Sequence, residues 1–258
     1  MNYFVRFNQS ANKVYAIHNF NEAIRADGRD FSLQLKIEKP EEADALTNEL
    51  SKFLEKNAIS FPDDVALVEI SPQLIEKAKV TWREYALIEP ANAKDTRREI
   101  TWSEFDKAAN RFANLLLQRG VKKGDKVAIL MMNGLEWLPI YFGILKTGAL
   151  AVPLNFRYSS DEIEYCVNLA EVDILVFSNA FIGRVEEIAD RISKGRLLIY
   201  VGEGCPGFAD DYNSLSANCS SQSPMVALTD EDYAAIYFSS GTTGFPKAIL
   251  HKHKALLH

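Results

Sequence analysis

The sequence is poor in the features that mark secreted, membrane-spanning or nucleic-acid-binding chains. It has three cysteines, Cys166, Cys205 and Cys219, with no CxxC spacing. An odd number without a pairing pattern argues against a disulfide framework and suits a reducing compartment. Positive charge is not in excess: 29 Lys and Arg against 35 Asp and Glu leave a net charge of -6. That removes the general attraction to nucleic acid or anionic lipid. No apolar run approaches the ~20 residues that span a bilayer. The start, Met1-Asn2-Tyr3-Phe4-Val5-Arg6, lacks the basic-then-apolar order of a secretory signal. There are only four histidines, and no Ser/His/Asp nucleophile arrangement stands out. The expectation is a soluble, cytoplasmic protein with no nucleic-acid partner and no membrane span.

What is present is a chain of 258 residues, 47% hydrophobic and 25% charged, long enough for a large core and for more than one domain. Residues 1–38 read as short strands. Phe31, Leu33, Leu35 and Ile37 alternate with polar residues at a period of two. The stretch 13–20 is a weaker strand candidate, with a turn at Asp27-Gly28. These features define a small β-rich extension, 1–40, to which no chemistry attaches. Pro40 suits a helix start, and Ala43, Leu46, Leu50, Phe53 and Leu54 put apolar groups on one face until Phe61-Pro62-Asp63-Asp64 breaks the pattern. A strand Val65–Ile70, a second strand over about 80–88 and a charged loop at 94–99 follow.

From Thr101 the pattern is regular. Thr101-Trp102-Ser103-Glu104 is a capping box, in which threonine and glutamate satisfy amides left over at a helix start. Phe105, Ala108, Ala109, Phe112, Leu115 and Leu116 follow at helical spacing, and Gly120 suits the helix end. Apolar strands are expected at 127–131, 148–153, 174–177 and 197–201. Helices are expected at 135–146, from the box Ser159-Ser160-Asp161-Glu162 to 170, and along the stripe Phe181, Val185, Ile188 and Ile192. Pro139 fits the first of these helices only near its start. Continuous apolar strands separated by amphipathic helices predict βαβ units: an α/β fold with a mostly parallel sheet covered by helices on both faces. The polar stretch 202–224 reads as a connecting loop, and a further strand is expected at 247–251.

The most informative stretch is Tyr237-Phe238-Ser239-Ser240-Gly241-Thr242-Thr243-Gly244-Phe245-Pro246-Lys247. An apolar strand feeds a loop carrying four hydroxyls, two glycines and a lysine. Glycines let backbone N–H groups turn toward an anion. Hydroxyls add rotatable donors and Lys247 adds a compact charge. The combination suits a polyphosphate, and such a loop is expected to be exposed and mobile without ligand. It is not G-x-x-x-x-G-K-[ST], since Gly241 and Gly244 are three apart and Ala248 follows Lys247. The plainer reading is a hydroxyl-rich surface turn. His251 and His253 share the i, i+2 spacing of a strand face, but two histidines without a carboxylate or cysteine make a poor metal site. Asp210-Asp211 and Asp230-Glu231-Asp232 read as solvated loop charge. No metal ligands are assigned.

The order of residues from Ile236 to Lys247 resembles the phosphate-loop signature of the adenylate-forming enzymes: acyl-CoA synthetases, peptide-synthetase adenylation domains and luciferases. Ile100-Thr101-Trp102-Ser103-Glu104-Phe105, the segment Val121-Lys122-Lys123-Gly124-Asp125-Lys126-Val127-Ala128-Ile129, and Leu145-Lys146-Thr147-Gly148-Ala149 with Val152-Pro153-Leu154-Asn155 also look like segments of that family. The resemblance covers about 45–258, and the Pro-Leu-Asn ending leans toward acyl-CoA synthetases. Lys252 stands where the family commonly has threonine before the histidine.

The resemblance implies ATP-dependent activation of a carboxylic acid to an acyl-adenylate, followed by thioester formation with coenzyme A. It implies that Ser239, Ser240, Gly241, Thr242, Thr243, Gly244 and Lys247 hold the pyrophosphate, that Lys247 is catalytic, and that Mg2+ shares the charge. The family's adenine-binding, ribose-binding and C-terminal lysine motifs do not occur before His258. The expectation is therefore a piece of a synthetase, with 41–258 a partial AMP-binding domain and the isolated chain inactive. The rival reading is a non-catalytic module that binds nucleotide phosphate weakly or serves as an interaction partner. Which acid is used, whether the thiol belongs to coenzyme A or a carrier protein, and the oligomeric state are not legible.

Overall fold

The structure, a computed structural model, describes residues 3–8, 13–18, 50–70, 97–192, 196–239 and 246–257. The centre is a seven-stranded sheet in the order β11-β10-β6-β5-β7-β8-β9. Its strands are β5 (Lys126–Leu130), β6 (Leu150–Pro153), β7 (Ile174–Ser178), β8 (Leu197–Val201), β9 (Asp210–Asp211), β10 (Tyr233–Ser239) and β11 (Lys247–Lys252). Every neighbouring pair is parallel except β10 with β11. The four strands expected from apolar runs are β5 to β8, and they pair in parallel as expected. Two antiparallel pairs stand apart from this sheet: β1 (Tyr3–Asn8) with β2 (Lys13–His18), and β3 (Val65–Ile70) with β4 (Arg97–Thr101).

Alternation along each strand explains why both faces are covered. Ala128, Leu130, Leu175, Phe177, Leu198 and Tyr200 point into one apolar layer, closed by α4 (Ser160–Leu169) and α5 (Ile182–Ile192). Val127, Ile129, Ile174, Val176, Ile199 and Val201 point into the other, closed by α2 (Trp102–Gln118), α3 (Trp137–Lys146) and the short α6 (Tyr212–Ser216). Strands apolar on both sides can be buried only between two helical layers. Helix α1 (Leu50–Ser60) packs against α2 through Leu54, in a smaller cluster with Ala66, Phe105 and Ala109. Helices α2 and α3 approach closely at Gly143, where a Cβ would lie 2.8 Å from the Ala109 carbonyl oxygen.

The helix signals read from sequence hold in detail. Both capping boxes form: Thr101 with Glu104 starts α2, and Ser159 with Glu162 starts α4. Gly120 adopts φ 87° and lets Val121 N–H close on the Leu116 carbonyl at 3.0 Å, which is why α2 stops there. Pro139 lies in the first turn of α3, where its missing N–H has no intrahelical acceptor anyway.

Two expectations are corrected. Arg97, Arg98 and Glu99, assigned to a charged loop, form most of β4, pairing with Ile70, Glu69 and Val68. The charges mislead because both Arg97 and Glu99 lie on exposed positions and pair with each other. The stretch 202–224, read as loop, contains β9 and α6. Asp211 caps that helix by accepting from Ser214 N–H at 2.8 Å, and Tyr212 is buried against Phe112. The expected strands at 31–37 and 80–88, the turn at Asp27-Gly28 and the helix start at Pro40 lie outside the described residues. So does the mobility expected of the loop.

Candidate functional site

In a doubly wound sheet, ligands bind beyond the carboxyl ends of the strands, near where strand order reverses. Here β5 is the first strand of the large sheet, β6 lies on one side of it and β7 on the other. The chain later returns to place β10 beside β6, and the carboxyl end of β10 is Ser239. From there the chain enters the glycine-rich loop and comes back as β11. The six residues Ser240, Gly241, Thr242, Thr243, Gly244 and Phe245 lie outside the described residues. Both ends of the loop are described.

Ser239 pairs directly with Lys247 in the antiparallel β10–β11 ladder. Directly paired residues project from the same face. Tyr237 pairs with Ile249, so Tyr237, Ser239, Lys247 and Ile249 share one face, that of α3. Ile236 and Phe238 project to the opposite layer. Pro246 is buried and Lys247 is exposed, so the proline anchors the return of the loop and leaves the lysine reachable.

Between α3 and the β10–β11 pair sits an aromatic stack that sequence reasoning missed. Trp137 lies on Tyr141 at 5.4 Å and 11°, the Tyr141 and Tyr237 hydroxyls are 2.8 Å apart, and His251 meets Tyr237 edge-on at 5.2 Å. Tyr141 and Tyr237 are 96 residues apart, and periodicity alone does not link them. Burial pushes both phenols above their usual value, so the hydroxyls stay neutral over the physiological range.

The two histidines considered as a metal pair have separate surroundings. His253 opens α7 (His253–Leu257) and is buried, its Nδ1 accepting from Leu50 N–H at 3.3 Å. Lys252, at the position where the resemblance has threonine, is paired with Glu231 at 2.8 Å. The acidic run 230–232 is engaged rather than merely solvated. Glu231 also binds Lys254, and Asp232 binds Lys123 at 2.7 Å. Among the described residues no group of three or more His, Cys, Asp or Glu side chains could hold a metal ion. No dedicated protein cage for Mg2+ is present among them. Among the same residues no helix is long and apolar enough to cross a membrane.

The family model described as "AMP-binding enzyme" matches residues 54–258. A long-chain-fatty-acid–CoA ligase, FadD13 of Mycobacterium tuberculosis, is 29% identical over 184 residues, covering 71% of this chain and 35% of the relative. A 3-hydroxybenzoate–CoA/4-hydroxybenzoate–CoA ligase of Thauera aromatica is 33% identical over 165 residues, covering 62% of this chain and 31% of the relative. The crystal structure of the anthranilate CoA ligase AuaEII with anthranoyl-AMP superposes with a TM-score of 0.68 at 26% identity, covering 82% of this chain and 36% of that one. The chain thus spans about a third of the length of these relatives, all of them CoA ligases. With the family match running from residue 54 to residue 258, the chain belongs to the AMP-binding enzyme family.

Proposed function

We propose that the polypeptide carrying this sequence activates a carboxylic acid with ATP and passes the acyl group to the thiol of coenzyme A, in the cytoplasm. A carboxylate oxygen forms a bond to the α-phosphorus, the bridging bond to the β-phosphate breaks, and pyrophosphate leaves. The thiol then attacks the acyl carbonyl, loses its proton, and AMP departs. In this reading 41–258 supplies part of the AMP-binding domain and 1–40 is a separate small extension.

Negative charge grows on pyrophosphate as it leaves, and preorganised donors aimed there lower the barrier. The hydroxyls of Ser239, Ser240, Thr242 and Thr243, the amides of Gly241 and Gly244, and the ammonium of Lys247 take that role. Mg2+, when bound through the phosphate oxygens, would supply further charge neutralisation.

The observation that carries the reading is the Ser239–Lys247 pair. It fixes one hydroxyl and one cation at the two ends of a glycine-rich loop, at the carboxyl edge of a parallel sheet, in a chain whose relatives are CoA ligases. The test is ATP–pyrophosphate exchange by a polypeptide containing this sequence, across a panel of aliphatic and aromatic acids. Acid-dependent exchange is expected. Pyrophosphate binding by the 258-residue chain without any acid-dependent exchange by a polypeptide containing it would favour the phosphate-binding module instead.

A further inference from the structure

We infer that His253 is a proton-released latch for α1: as a neutral ring it holds the first residue of α1 to the end of β11, and as a charged ring it lets that residue go. This device is independent of the chemistry proposed for the glycine-rich loop. Leu50 and His253 are 203 residues apart in sequence. They meet beside the apolar layer against which Leu50 and Leu256 both pack. The contact is a hydrogen bond from Leu50 N–H to Nδ1 at 3.3 Å. It makes the bond and the charge mutually exclusive. An amide N–H only donates, so Nδ1 accepts through its lone pair and the ring's one proton sits on Nε2. Nε2 is buried and, among the described residues, has no hydrogen-bond partner. A second proton has one place to go, the Nδ1 lone pair that holds Leu50. The charged ring then carries two donors, one facing another donor and one facing no acceptor, at a fully buried position. A buried charge without a partner is far costlier than a neutral group.

The charged groups around the ring have other partners. Asp232, on the turn before β10, binds Lys123 of the loop before β5 at 2.7 Å and accepts from the Thr229 amide at 2.8 Å. Glu231 binds Lys252 and Lys254, the residues on either side of the histidine. On α1, Lys52 and Glu55 pair with each other at 2.8 Å, and Lys56 is exposed. Burial of the ring is the largest influence and opposes its charge; Asp232 and Asp230 favour the charge and Lys123 opposes it, and the balance lies below the ordinary 6.5. The backbone here is pinned to the turn. His253 N–H donates to the Asp232 carbonyl at 3.0 Å, and Lys254 N–H to the Asp230 carbonyl at 3.0 Å. What yields on protonation is therefore the start of α1, the helix whose Glu55 binds the buried Lys146. The ring's folded value lies below its unfolded one, so the latch is closed above 6.5 and opens as pH falls.

The test uses the full 258-residue chain. Hydrogen exchange of the α1 amides is read at pH 7.5 and pH 5.5 and corrected for the intrinsic effect of pH on exchange. Glu55, held below 4.5, keeps its full contribution throughout this window, so its titration does not enter. Protection of the α1 amides is expected to fall several-fold by pH 5.5, with a ceiling of about tenfold set by one pH unit below the ring's ordinary value. His253→Asn puts an amide oxygen able to accept near the Nδ1 position and leaves nothing to titrate; its α1 protection is expected to stay level. Level protection in the wild type would overturn the inference, and so would a fall in His253→Asn equal to that of the wild type. Should His253→Asn not fold, nitrogen NMR of the wild-type ring at pH 7.5 decides. A proton on Nε2, together with the fall in protection, sustains the latch, and a proton on Nδ1 refutes it.

Discussion

Lys146 offers the sharpest test of what holds the helical layer beside the sheet together. Its side chain is 1% exposed, and its Nζ lies 2.8 Å from Glu55 of α1 and 2.9 Å from Asp106 of α2. One cation therefore ties three helices. Glu55 also accepts from Lys52 at 2.8 Å and from Ser223 at 2.9 Å, and Asp106 accepts from Asn110 at 2.9 Å. Burial alone would raise the Glu55 carboxyl. The hydrogen bonds from Lys146 and Lys52, together with the charge of Lys146, outweigh that and hold it at about 2. Replacing Lys146 by methionine keeps the chain length and removes the charge. Breaking a buried ion pair from one side typically costs about 3–5 kcal/mol, because the remaining charge is left uncompensated. Glu55 and Asp106 are still 20% and 18% exposed and keep their other partners. The lower end, about 3 kcal/mol, is expected.

In a domain of this size that corresponds to a fall in Tm of roughly 6–12 °C. The pH dependence carries a sign. Glu55 has a folded pKa below its unfolded value of 4.5, so its contribution is present above that value and is lost as pH falls toward 2. The gap between wild type and Lys146→Met should therefore be widest near neutrality and narrow below about pH 4.5. Urea unfolding at pH 7.5 and pH 4, followed by tryptophan fluorescence, measures both. Adding Glu55→Gln and Asp106→Asn to Lys146→Met should recover most of the loss, since the damage lies in two stranded carboxylates. A Lys146→Met variant within 1 kcal/mol of wild type at pH 7.5, on the scale of ordinary surface substitutions, would refute the reasoning.

Three further outcomes are expected. In a polypeptide that performs the proposed reaction, Lys247→Ala should lower kcat for adenylation by roughly 10²-fold, with part of the loss recovered by Lys247→Arg; wild-type kcat in a folded Lys247→Ala protein would remove the lysine from the chemistry. Gly143→Ala should destabilise by roughly 2 kcal/mol, because the new Cβ would meet the Ala109 carbonyl oxygen at 2.8 Å and Phe112 at 3.0 Å; equilibrium unfolding checks it, and an unchanged midpoint would mean the helices can part freely. His253 should titrate below its usual 6.5, because burial outweighs the pull of Asp232 and adds to the push of Lys123, with Asp230 opposing. Its share of stability is complete above 6.5 and falls as pH drops below it, and an NMR titration of the ring giving 6.5 or higher would contradict this.

The sheet was legible because its strands are apolar on both faces, a pattern that only two covering layers can satisfy. The capping boxes at Thr101 and Ser159 were legible because they are local, each closing within three residues. The order of β11 against β10 was not read, although the short return from Ser239 to Lys247 leaves no room for a parallel crossover. Helix α6 was hidden by its length of five residues and its polar neighbours. For the site, the loop rests on residue order alone, and six of its residues lie outside the described ones. The Tyr141–Tyr237 contact was not legible: Tyr141 reads as one more apolar position of α3, and the partner of its hydroxyl depends on which strand lies beside the helix. Lys146 likewise reads as a cation suited to a helix end, while its partner Glu55 is 91 residues away.

The antiparallel return of β11 has a consequence for which changes of length the site can absorb. The Tyr237–Ile249 pair is set by the register of β10 against β11 and not by the number of residues between Ser239 and Lys247. A single residue added between Lys247 and Ile249 is different. The side chains of a strand alternate, so Lys247 would turn to the opposite face and its ammonium would point toward the layer that receives Phe238. Parity in the first three residues of β11, rather than the length of the loop, sets which side of the sheet the lysine serves.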